Sequence, residues 1–429
     1  MENFRIESLE INKIGAFEHL KMDFPKKKDP EKAEIHILTG ENGTGKSTVL
    51  EVLSHAVFPM DENLQSERTK HLFLKIPTLN GCSFEINDNH NDSIRFARDI
   101  EALQKMKTTS FHTYYKNTQL DYKTTKFDYA LFAYSGYRKI DDYKPVDISN
   151  LLNHSPFDNA LDFSKSTNTE YLLQWIGNYS MKFLRASAAN DNFKALNIID
   201  PVSKICRIIE EIIEKPVTFQ LSEELDVRIS IDGISQHFNA IPDGVRSIVS
   251  WVGDLIMRLN RIQWNDDVDI FDRNFILFLD EIEVHLHPAW QRKILPVVQK
   301  LFKNAQIFIS THSPFVVGSV DGAWVHKFKK DGAYAVLDGE PILSEDAESY
   351  DTILEEVFGI TRRFGDPIED LLAEFRIITR EILKGNESNI DRWNEIISIF
   401  AKQERPDEIM SVIKPIRNQI NRIRNQVIA

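Results

Sequence analysis

The sequence has 429 residues, enough for roughly two to four domains or for one large domain with insertions. It carries 52 Lys and Arg against 65 Asp and Glu, a formal charge of −13, which excludes a globally basic nucleic-acid-binding surface but not a local basic patch. The hydrophobic fraction of 42% supplies a real core and excludes a globally disordered chain.

The cysteines and the hydropathy pattern indicate the compartment. The two cysteines, Cys82 and Cys206, form no CxxC pair, so neither a disulfide scaffold nor a cysteine-based zinc site is expected, and a reducing environment fits. The first residues lack the apolar core of a signal peptide, and no stretch approaches the roughly 18 apolar residues of a membrane span. We therefore expect a soluble, cytoplasmic protein that does not enter the membrane.

The first predicted elements are two strands. Alternating apolar residues predict one strand from Phe4 to Ile11 and another from Leu20 to Phe24. The segment Pro25–Lys32 that follows is predicted to be a hairpin tip. Its three consecutive lysines are able to touch a phosphate backbone, but a solvated turn is the favoured interpretation.

A glycine-rich loop comes next, between a short apolar strand at 34–39 and a helix. The run from Gly40 to Thr48 fits GxxxxGK(S/T), whose glycines let backbone N–H groups surround nucleotide phosphates at a helix N-terminus. In this motif the lysine reaches the β- and γ-phosphates and the serine hydroxyl ligates Mg²⁺. The predicted ATP-binding residues are Gly40, Asn42, Gly43, Thr44, Gly45, Lys46, Ser47 and Thr48, with Ser47 also on the metal.

The rest of the chain alternates between strand and helix patterns, which favours an α/β fold. The predicted segments are, in order, strands within 72–134, a helical insertion at about 147–214, strands at 217–221 and 227–231, a helix after Gly244, strands at 275–279 and 306–310 around a helix at 291–302, and helices after about residue 342. The apolar runs Phe275–Leu279 and Gln306–Ser310 are typical of strands buried on both faces of a mostly parallel sheet.

Polar residues follow both of these buried strands. Asp280 follows the first strand and is predicted to hold Mg²⁺, and Glu281 is placed to polarise the attacking water. Thr311 and His312 follow the second strand, from which His312 can reach the γ-phosphate. Each pattern alone is common at strand ends, but after a glycine loop of this type the functional interpretation is favoured.

The segments GENGTGKST, FILFLDEIEVHLHP and FISTHSP, in this order, resemble those of ATP-binding-cassette ATPases of the SMC, RecF and OLD kind. The resemblance covers roughly residues 1–319. It implies that Asp280 is the Walker B aspartate, Glu281 the catalytic glutamate and His312 the switch histidine. It also makes His285 and His287 structural or intersubunit residues rather than metal ligands. Among these ATPases, the chain most resembles the short-headed ATPases of bacterial anti-phage defence in the Septu, PARIS and retron systems.

Two motifs of that family are altered. The signature loop corresponds to residues 241–247, where Asp243, Gly244 and Arg246 would face the nucleotide of the opposite subunit, and Pro242 replaces the usual serine. The resemblance therefore implies ATP-dependent head-to-tail dimerisation but slow hydrolysis. The Q-loop position has no glutamine, and Arg138 is the candidate phosphate contact there.

The spacing limits the architecture. The insertion is too short for long coiled-coil arms, and no acidic cluster after His312 resembles a Toprim nuclease. We expect an ATPase head over 1–345, with mixed and mostly parallel sheets, and a helical assembly or partner region over 346–429. In that region Ile409 to Val427 form an a/d seam flanked by cations, which is either internal packing, a docking helix or a nucleic-acid contact.

The favoured function is a defence ATPase that binds ATP and Mg²⁺, hydrolyses ATP slowly, forms a head-to-tail homo-oligomer and controls a separate effector. The effector is expected to be a toxin or a nuclease, for example of the HNH type. One alternative is a repair or recombination ATPase that acts on DNA. The other is an ATP-binding regulatory scaffold with little hydrolysis.

Overall fold

The computed structural model describes residues 5–56, 71–75, 83–87, 95–96, 122–136, 154–163, 167–345, 350–359, 364–384, 386, 388–403, 409–410 and 413–414. It divides the chain into two compact units, Met1–Phe358 and Gly359–Ala429. Among the helices of the described residues, none combines the length and apolarity needed to cross a bilayer.

The strands and helices of the first unit alternate along the chain. Its strands are β1 Ser8–Ile14, β2 Phe17–Asp23, β3 Glu34–Gly40, β4 His71–Lys75, β5 Ser83–Asn87, β6 Arg95–Phe96, β7 Ala130–Ser135, β8 Val217–Leu221, β9 Val227–Ile231, β10 Ile234–His237, β11 Phe275–Asp280, β12 Gln306–Ser310, β13 Trp324–Asp331, β14 Tyr334–Leu337 and β15 Ile342–Leu343. Its helices are α1 Lys46–Ala56, α2 Thr169–Ala188, α3 Asn192–Ile213, α4 Asp243–Arg261, α5 Pro288–Leu301, α6 Pro314–Val317 and α7 Tyr350–Thr352, the last continued by a π-helical turn, Ile353–Val357.

The central sheet has the strand order β14-β13-β3-β12-β11-β7, and β15 pairs with β13. Strands β13, β3, β12, β11 and β7 are parallel, and β14 and β15 are antiparallel to β13. All residues of β12, and all of β11 except the last, are buried, as expected for strands covered on both faces. The α/β fold class with mixed, mostly parallel sheets is confirmed.

An antiparallel sheet with the order β2-β1-β4-β5-β6 precedes much of the central sheet in sequence. Strand β2 pairs with β1, whereas β3 lies in the central sheet. The segment Pro25–Lys32 therefore crosses from one sheet to the other, and its prediction as a hairpin tip was wrong. A third, three-stranded antiparallel sheet has the order β10-β9-β8, in which Asp232 and Gly233, both with positive φ, form the turn between β9 and β10.

Helices α2 and α3 form an antiparallel hairpin within the predicted insertion. The side chains of Asn168 and Asp191 accept backbone N–H bonds at the N-termini of α2 and α3, respectively. The predicted apolar face of α2 is buried at Leu172, Leu173 and Ile176. This face packs against the central core, so the insertion is part of the head and not a separate arm.

A buried polar cluster ties the start of the chain to the central sheet. The guanidinium of Arg5 donates to Glu34 on β3 at 2.9 Å, and Gln306 on β12 donates to the same carboxylate at 2.6 Å. His36 hydrogen-bonds Glu34 at 3.0 Å and His326 at 3.2 Å. Burial raises the pKa of Glu34, but the bonds and charges of His36 and Arg5 outweigh it and lower this pKa to about 2.

The second unit is helical in its described residues. Helices α8 Asp366–Leu383 and α9 Ile390–Ala401 bury Phe375, Trp393 and Phe400 together with Ile409 and Ile413. The first two seam positions thus pack inside this unit. The seam positions from residue 415 onward lie outside the described residues, so the alternatives for them remain predictions.

Candidate functional site

The parallel register brings the predicted motifs to one edge of the central sheet. Asp280 at the end of β11 is paired with Ser135 at the end of β7, and Ser310 at the end of β12 is paired with Leu38 on β3. The glycine loop follows β3, and Thr311 and His312 follow β12. Carboxyl ends of neighbouring parallel strands are the usual place for a ligand site in an α/β sheet.

The glycine loop has a shape that side chains would block. A Cβ at Gly40, whose φ is +145°, would lie 2.2 Å from the carbonyl oxygen of Phe328. A Cβ at Gly45, whose φ is +83°, would lie 2.5 Å from the ring of Phe17. Thr44 is buried and its hydroxyl donates to Glu41 O at 2.8 Å, which closes the loop. These features fit a backbone cradle for phosphate.

Lys46 is the first residue of α1 and points back over this loop. Its ammonium donates to Gly40 O at 3.0 Å and to Glu41 O at 2.9 Å. Burial lowers the pKa of Lys46, and the charges of Asp280, Glu281 and Glu283 oppose that shift. The acids therefore help to keep a cation beside the cradle.

The other predicted residues of the loop differ in their surroundings. Asn42 and Gly43 are exposed, and Gly43 has a φ of +77°. Thr48 faces the turn between β1 and β2, where its methyl group would lie 3.0 Å from a Cβ at Gly15. Asn42 and Gly43 thus lie on the open side of the loop, and Thr48 on the side that packs against the antiparallel sheet.

The hydroxyl of Ser47 donates to Asp280 Oδ1 at 2.9 Å, across 233 residues of sequence. A hydroxyl and a carboxylate oxygen are ligands that Mg²⁺ accepts, and Mg²⁺ in phosphate sites takes few protein ligands and completes its shell with water and phosphate oxygens. The donor set therefore fits this ion. No group of three or more His, Cys, Asp or Glu among the described residues is arranged for a metal.

Ser310 is a residue that the sequence analysis missed. Its hydroxyl donates to Asp280 Oδ1 and accepts the backbone N–H of Glu281 at 2.9 Å. It is buried at the end of β12. One side chain thus fixes both acidic residues of the neighbouring strand. Its position at the end of the strand next to β11 was the signal that could have revealed it.

Glu281 lies in a strained conformation that its neighbours hold in place. Its φ is +48°, an uncommon value for a residue with a side chain. A Cβ at Gly136, which follows β7, would lie 2.4 Å from Glu281 O, so only glycine leaves room there. Burial raises the pKa of Glu281, the charge of Asp280 raises it further, and Lys46 lowers it. A carboxylate with a raised pKa is a better proton acceptor for an attacking water.

His312 is held by Glu283, a second residue that the sequence analysis missed. The backbone N–H of His312 donates to Glu283 Oε1 at 2.6 Å, while Glu283 Oε2 is buried without a hydrogen bond. Burial raises the pKa of Glu283. Desolvation and the charge of Lys46 lower the pKa of His312, while Asp280 opposes them, which favours the neutral imidazole. Glu283 therefore fixes the position of the histidine that follows β12.

The signature-like residues lie at the start of α4. Pro242 is the N-cap and makes no side-chain capping bond, and Arg246 pairs with Asp243. A Cβ at Gly244 would lie 2.7 Å from His285 O and 3.0 Å from the ring of Trp290. The start of α4 thus contacts the loop that carries Glu281 and Glu283. His287, predicted to be structural, caps α5 by accepting the N–H of Ala289 at 3.2 Å.

The structure does not support the predicted phosphate contacts of Arg138 or of the lysines of Pro25–Lys32. Arg138 lies outside the described residues. Three of the four lysines of Pro25–Lys32 are engaged within the chain: Lys27 donates to three backbone carbonyls, Lys28 lies 5.9 Å from the Trp324 ring, and Lys32 pairs with Asp321 at 3.0 Å. These contacts hold the three lysines against the chain itself and disfavour a phosphate-backbone contact.

Comparisons with known proteins agree with this geometry. A family model described as "AAA domain" matches residues 8–236, and one described as "AAA domain, putative AbiEii toxin, Type IV TA system" matches residues 270–318. The chain is 25% identical to the "Retron Ec83 probable ATPase" of Escherichia coli over 87% of this chain and 79% of the relative. It is 21% identical to the "Septu protein PtuA" of Bacillus thuringiensis over 96% of both.

A solved SMC head, described as bound to the C-winged helix domain of ScpA, overlaps 79% of this chain and 98% of its own at a TM-score of 0.43 and 12% identity. Because this TM-score and this sequence identity are low, the fold assignment rests on the strand order given above. The predicted resemblance to the retron and Septu ATPases is confirmed by the relatives.

Proposed function

The chain belongs to the AAA domain family, whose model spans residues 8–236, and we propose that it is a slow ATPase of anti-phage defence that assembles head to tail and controls a separate effector. The observation that carries the ATPase part is the 2.9 Å bond between Ser47 and Asp280, which joins the glycine loop to the buried strand. The relatives named for retron and Septu systems support the defence part.

The residues divide the chemistry among them. The glycine loop and Lys46 bind and orient the phosphates of ATP, and Ser47 and Asp280 hold Mg²⁺. When bound, Mg²⁺ neutralises charge that develops on the phosphate oxygens. Glu281 accepts a proton from the attacking water, and His312, whose pKa the charge of Lys46 lowers, contacts the terminal phosphate. Ser310 and Glu283 hold these two residues in position.

Assembly follows from the start of α4. In a head-to-tail pair, the first-turn N–H groups of α4 and the Gly244 backbone would face the nucleotide of the other copy. Pro242 supplies no hydroxyl for that phosphate, which is why we propose slow turnover. A copy that holds ATP for a long time is suited to keeping an effector bound until an infection signal arrives.

The test combines two variants with a surface control. Lys46→Ala should abolish the ATP-induced rise in melting temperature, since a ligand stabilises the native state by RT ln(1 + [L]/Kd). The control Lys21→Ala, at an exposed position on β2, should keep that rise. Glu281→Gln should retain ATP binding, lose turnover and trap the assembled state.

The biological part has its own readouts. Both Lys46→Ala and Glu281→Gln should lower phage protection, and the wild type should co-purify with the product of the neighbouring gene. An unchanged melting shift in Lys46→Ala, or wild-type turnover in Glu281→Gln, would contradict the ATPase assignment. Protection that survives both changes would contradict the role in defence.

A further inference from the structure

Strand β13 continues past the edge of the sheet at which the candidate site lies. It runs parallel to β3, and Phe328 pairs with Gly40, the last residue of β3 and the first of the glycine loop. Lys329, Lys330 and Asp331 extend β13 beyond this pair. Because the carboxyl ends of parallel strands meet at one edge of a sheet, this extension lies beside the loop.

The side chains of a strand alternate between two faces, and Lys330 belongs to the face of β13 that is turned toward the loop. Phe328, two residues before it, marks this face. The ring of Phe328 lies 5.9 Å from the ring of Phe17, which a Cβ at Gly45 would strike. The strand therefore directs the side chain of Lys330 toward the same side.

The lysines on the two faces differ in their partners. Lys327 and Lys329, on the other face, pair with Asp338 at 3.6 Å and 2.7 Å. Within the part of the chain that the structure describes, no carboxylate lies within ion-pair distance of Lys330, which is exposed. The positive charge of Lys330 is thus left for a ligand.

The ammonium of Lys330 lies over the open side of the glycine loop. Its Nζ and Cε would each lie 3.9 Å from a Cβ at Gly43, which is exposed and has a φ of +77°. The ammonium of Lys46 lies at another part of the loop, where it donates to Gly40 O and Glu41 O. The loop therefore has a lysine ammonium at two separate places.

The charges around the loop favour a second cation. Asp280, Glu281 and Glu283 all lie close enough to act on the charge of Lys46. ATP remains negative after it binds Mg²⁺, so its phosphates bring further negative charge to a place where acids outnumber this one lysine. A second ammonium within reach of the phosphates offsets part of that repulsion.

We propose that Lys330 is a second phosphate-binding lysine of the nucleotide site, which contacts the phosphate chain of ATP from the open side of the loop at Gly43. This inference rests on the proposed binding of ATP. A lysine ammonium on its flexible stem binds phosphate as a point charge and needs no fixed geometry. Lys46 and Lys330 then share the charge of the phosphate chain.

The hairpin that carries Lys330 is held by bonds that do not involve its side chain. Asp331 pairs with Tyr334 across the turn between β13 and β14. The backbone N–H of Ala335 on β14 donates to Ala16 O, in the turn between β1 and β2, at 2.8 Å. Replacement of the exposed Lys330 side chain leaves these bonds intact, so it should change ligand affinity and not folding.

The test measures dissociation constants for ATP and for inorganic tripolyphosphate, by titration calorimetry of the full chain with Mg²⁺. Lys330→Ala should raise both constants roughly three- to tenfold, because a charged contact is lost at an exposed position. Lys330→Arg should keep most of the affinity, and Lys330→Glu should lose more than Lys330→Ala does. The difference between Lys330→Ala and the wild type should shrink as salt is raised.

The matched control is Lys329→Ala. It removes the same charge one residue away, on the face that pairs with Asp338, and exposed pairs of this kind contribute little to stability. Lys329→Ala should bind both ligands as the wild type does. Without nucleotide, both alanine variants should melt at the wild-type temperature.

Three results would overturn the inference. The first is wild-type ATP affinity in Lys330→Ala. The second is an equal loss of affinity in Lys329→Ala, which would reflect only the net charge of the chain. The third is a loss for ATP that leaves tripolyphosphate binding or the salt dependence unchanged, because Lys330 would then contact the ribose or the base.

Lys46→Ala separates this inference from the proposed function. If Lys46→Ala loses ATP binding while Lys330→Ala keeps wild-type affinity, the ATPase assignment stands and the role of Lys330 is refuted. A wild type that binds no ATP would overturn both.

Discussion

Replacing Glu283 by alanine should slow ATP turnover without weakening ATP binding. Its carboxylate accepts the backbone N–H of His312 at 2.6 Å, and within the part of the chain that the structure describes no hydrogen bond joins it to the glycine loop or to Ser47. Loss of this acceptor frees the turn that carries His312. The free-energy cost of ordering this turn is then added to the activation barrier, because His312 has to contact the terminal phosphate in the transition state.

The size of the effect follows from the kind of bond. A hydrogen bond to a charged group contributes roughly 1.5–3 kcal/mol, which corresponds to about a 10- to 150-fold loss of kcat for Glu283→Ala. Glu283→Gln keeps a neutral oxygen acceptor in the same place. A neutral bond contributes about 1 kcal/mol, so this variant should keep much of the activity and lose roughly three- to tenfold.

The assay is steady-state ATP hydrolysis with a separate measurement of ATP affinity. We expect kcat to be highest in the wild type, lower in Glu283→Gln and lowest in Glu283→Ala, with ATP affinity unchanged. The control Glu340→Ala, at an exposed position, should match the wild type. A wild-type kcat in Glu283→Ala, or a change confined to KM, would refute the idea that Glu283 positions His312.

Stability against pH provides a readout independent of activity. Because burial raises the pKa of Glu283, the folded chain binds this proton more tightly than the unfolded chain does. Its contribution favours folding below the ordinary glutamate pKa and is lost as the pH rises through the raised value. Glu283→Gln lacks this dependence, so its stability relative to the wild type should increase as the pH rises.

Four further changes test other parts of the chain. Pro242→Ser should raise turnover about 10- to 100-fold if its hydroxyl meets the opposite phosphate, and an unchanged rate would mean that this loop only docks the other copy. Gly45→Ala should destabilise the fold by about 2–4 kcal/mol and abolish the ATP-induced melting shift, because its Cβ strikes Phe17. Gly43→Ala should cost only about 1–2 kcal/mol, from its positive φ, because the atoms nearest to its Cβ are those of the Lys330 side chain at 3.9 Å; equal melting temperatures would refute this. A chain ending at Lys414 should keep ATP binding but form a different oligomer or lose its effector. If the shortened chain keeps the same oligomer and the same effector, the seam positions after Lys414 serve only internal packing.

The nucleotide motifs could be predicted because each one is contiguous in sequence. The glycine loop, the strand that ends at Asp280 and the turn at His312 all combine a local pattern with a known chemistry. The parallel sheet then brings them to one edge, as the apolar runs indicated.

The residues that hold the site together could not be predicted in the same way. Ser310 and Glu283 act through partners 29 or 30 positions away, so their roles appear only when two loops meet. Strand β13 was missed because Trp324–Asp331 mixes aromatic, histidine and lysine residues without clear alternation. The error at Pro25–Lys32 has a related cause, because a local pattern does not say which sheet the next strand joins.

The neighbours of β3 have a consequence for synthesis of the protein. β3 carries the glycine loop, but its two partners in the sheet, β12 and β13, begin only at Gln306 and Trp324. At about 5–20 residues per second, a ribosome needs on the order of tens of seconds to reach them after Gly40. During that time β3, an apolar strand that is paired on both sides in the folded protein, has no partner strand. It is therefore a natural target for a nascent-chain chaperone. A fragment that stops before Gln306 would contain the whole glycine motif and still lack the edge on which the site is built.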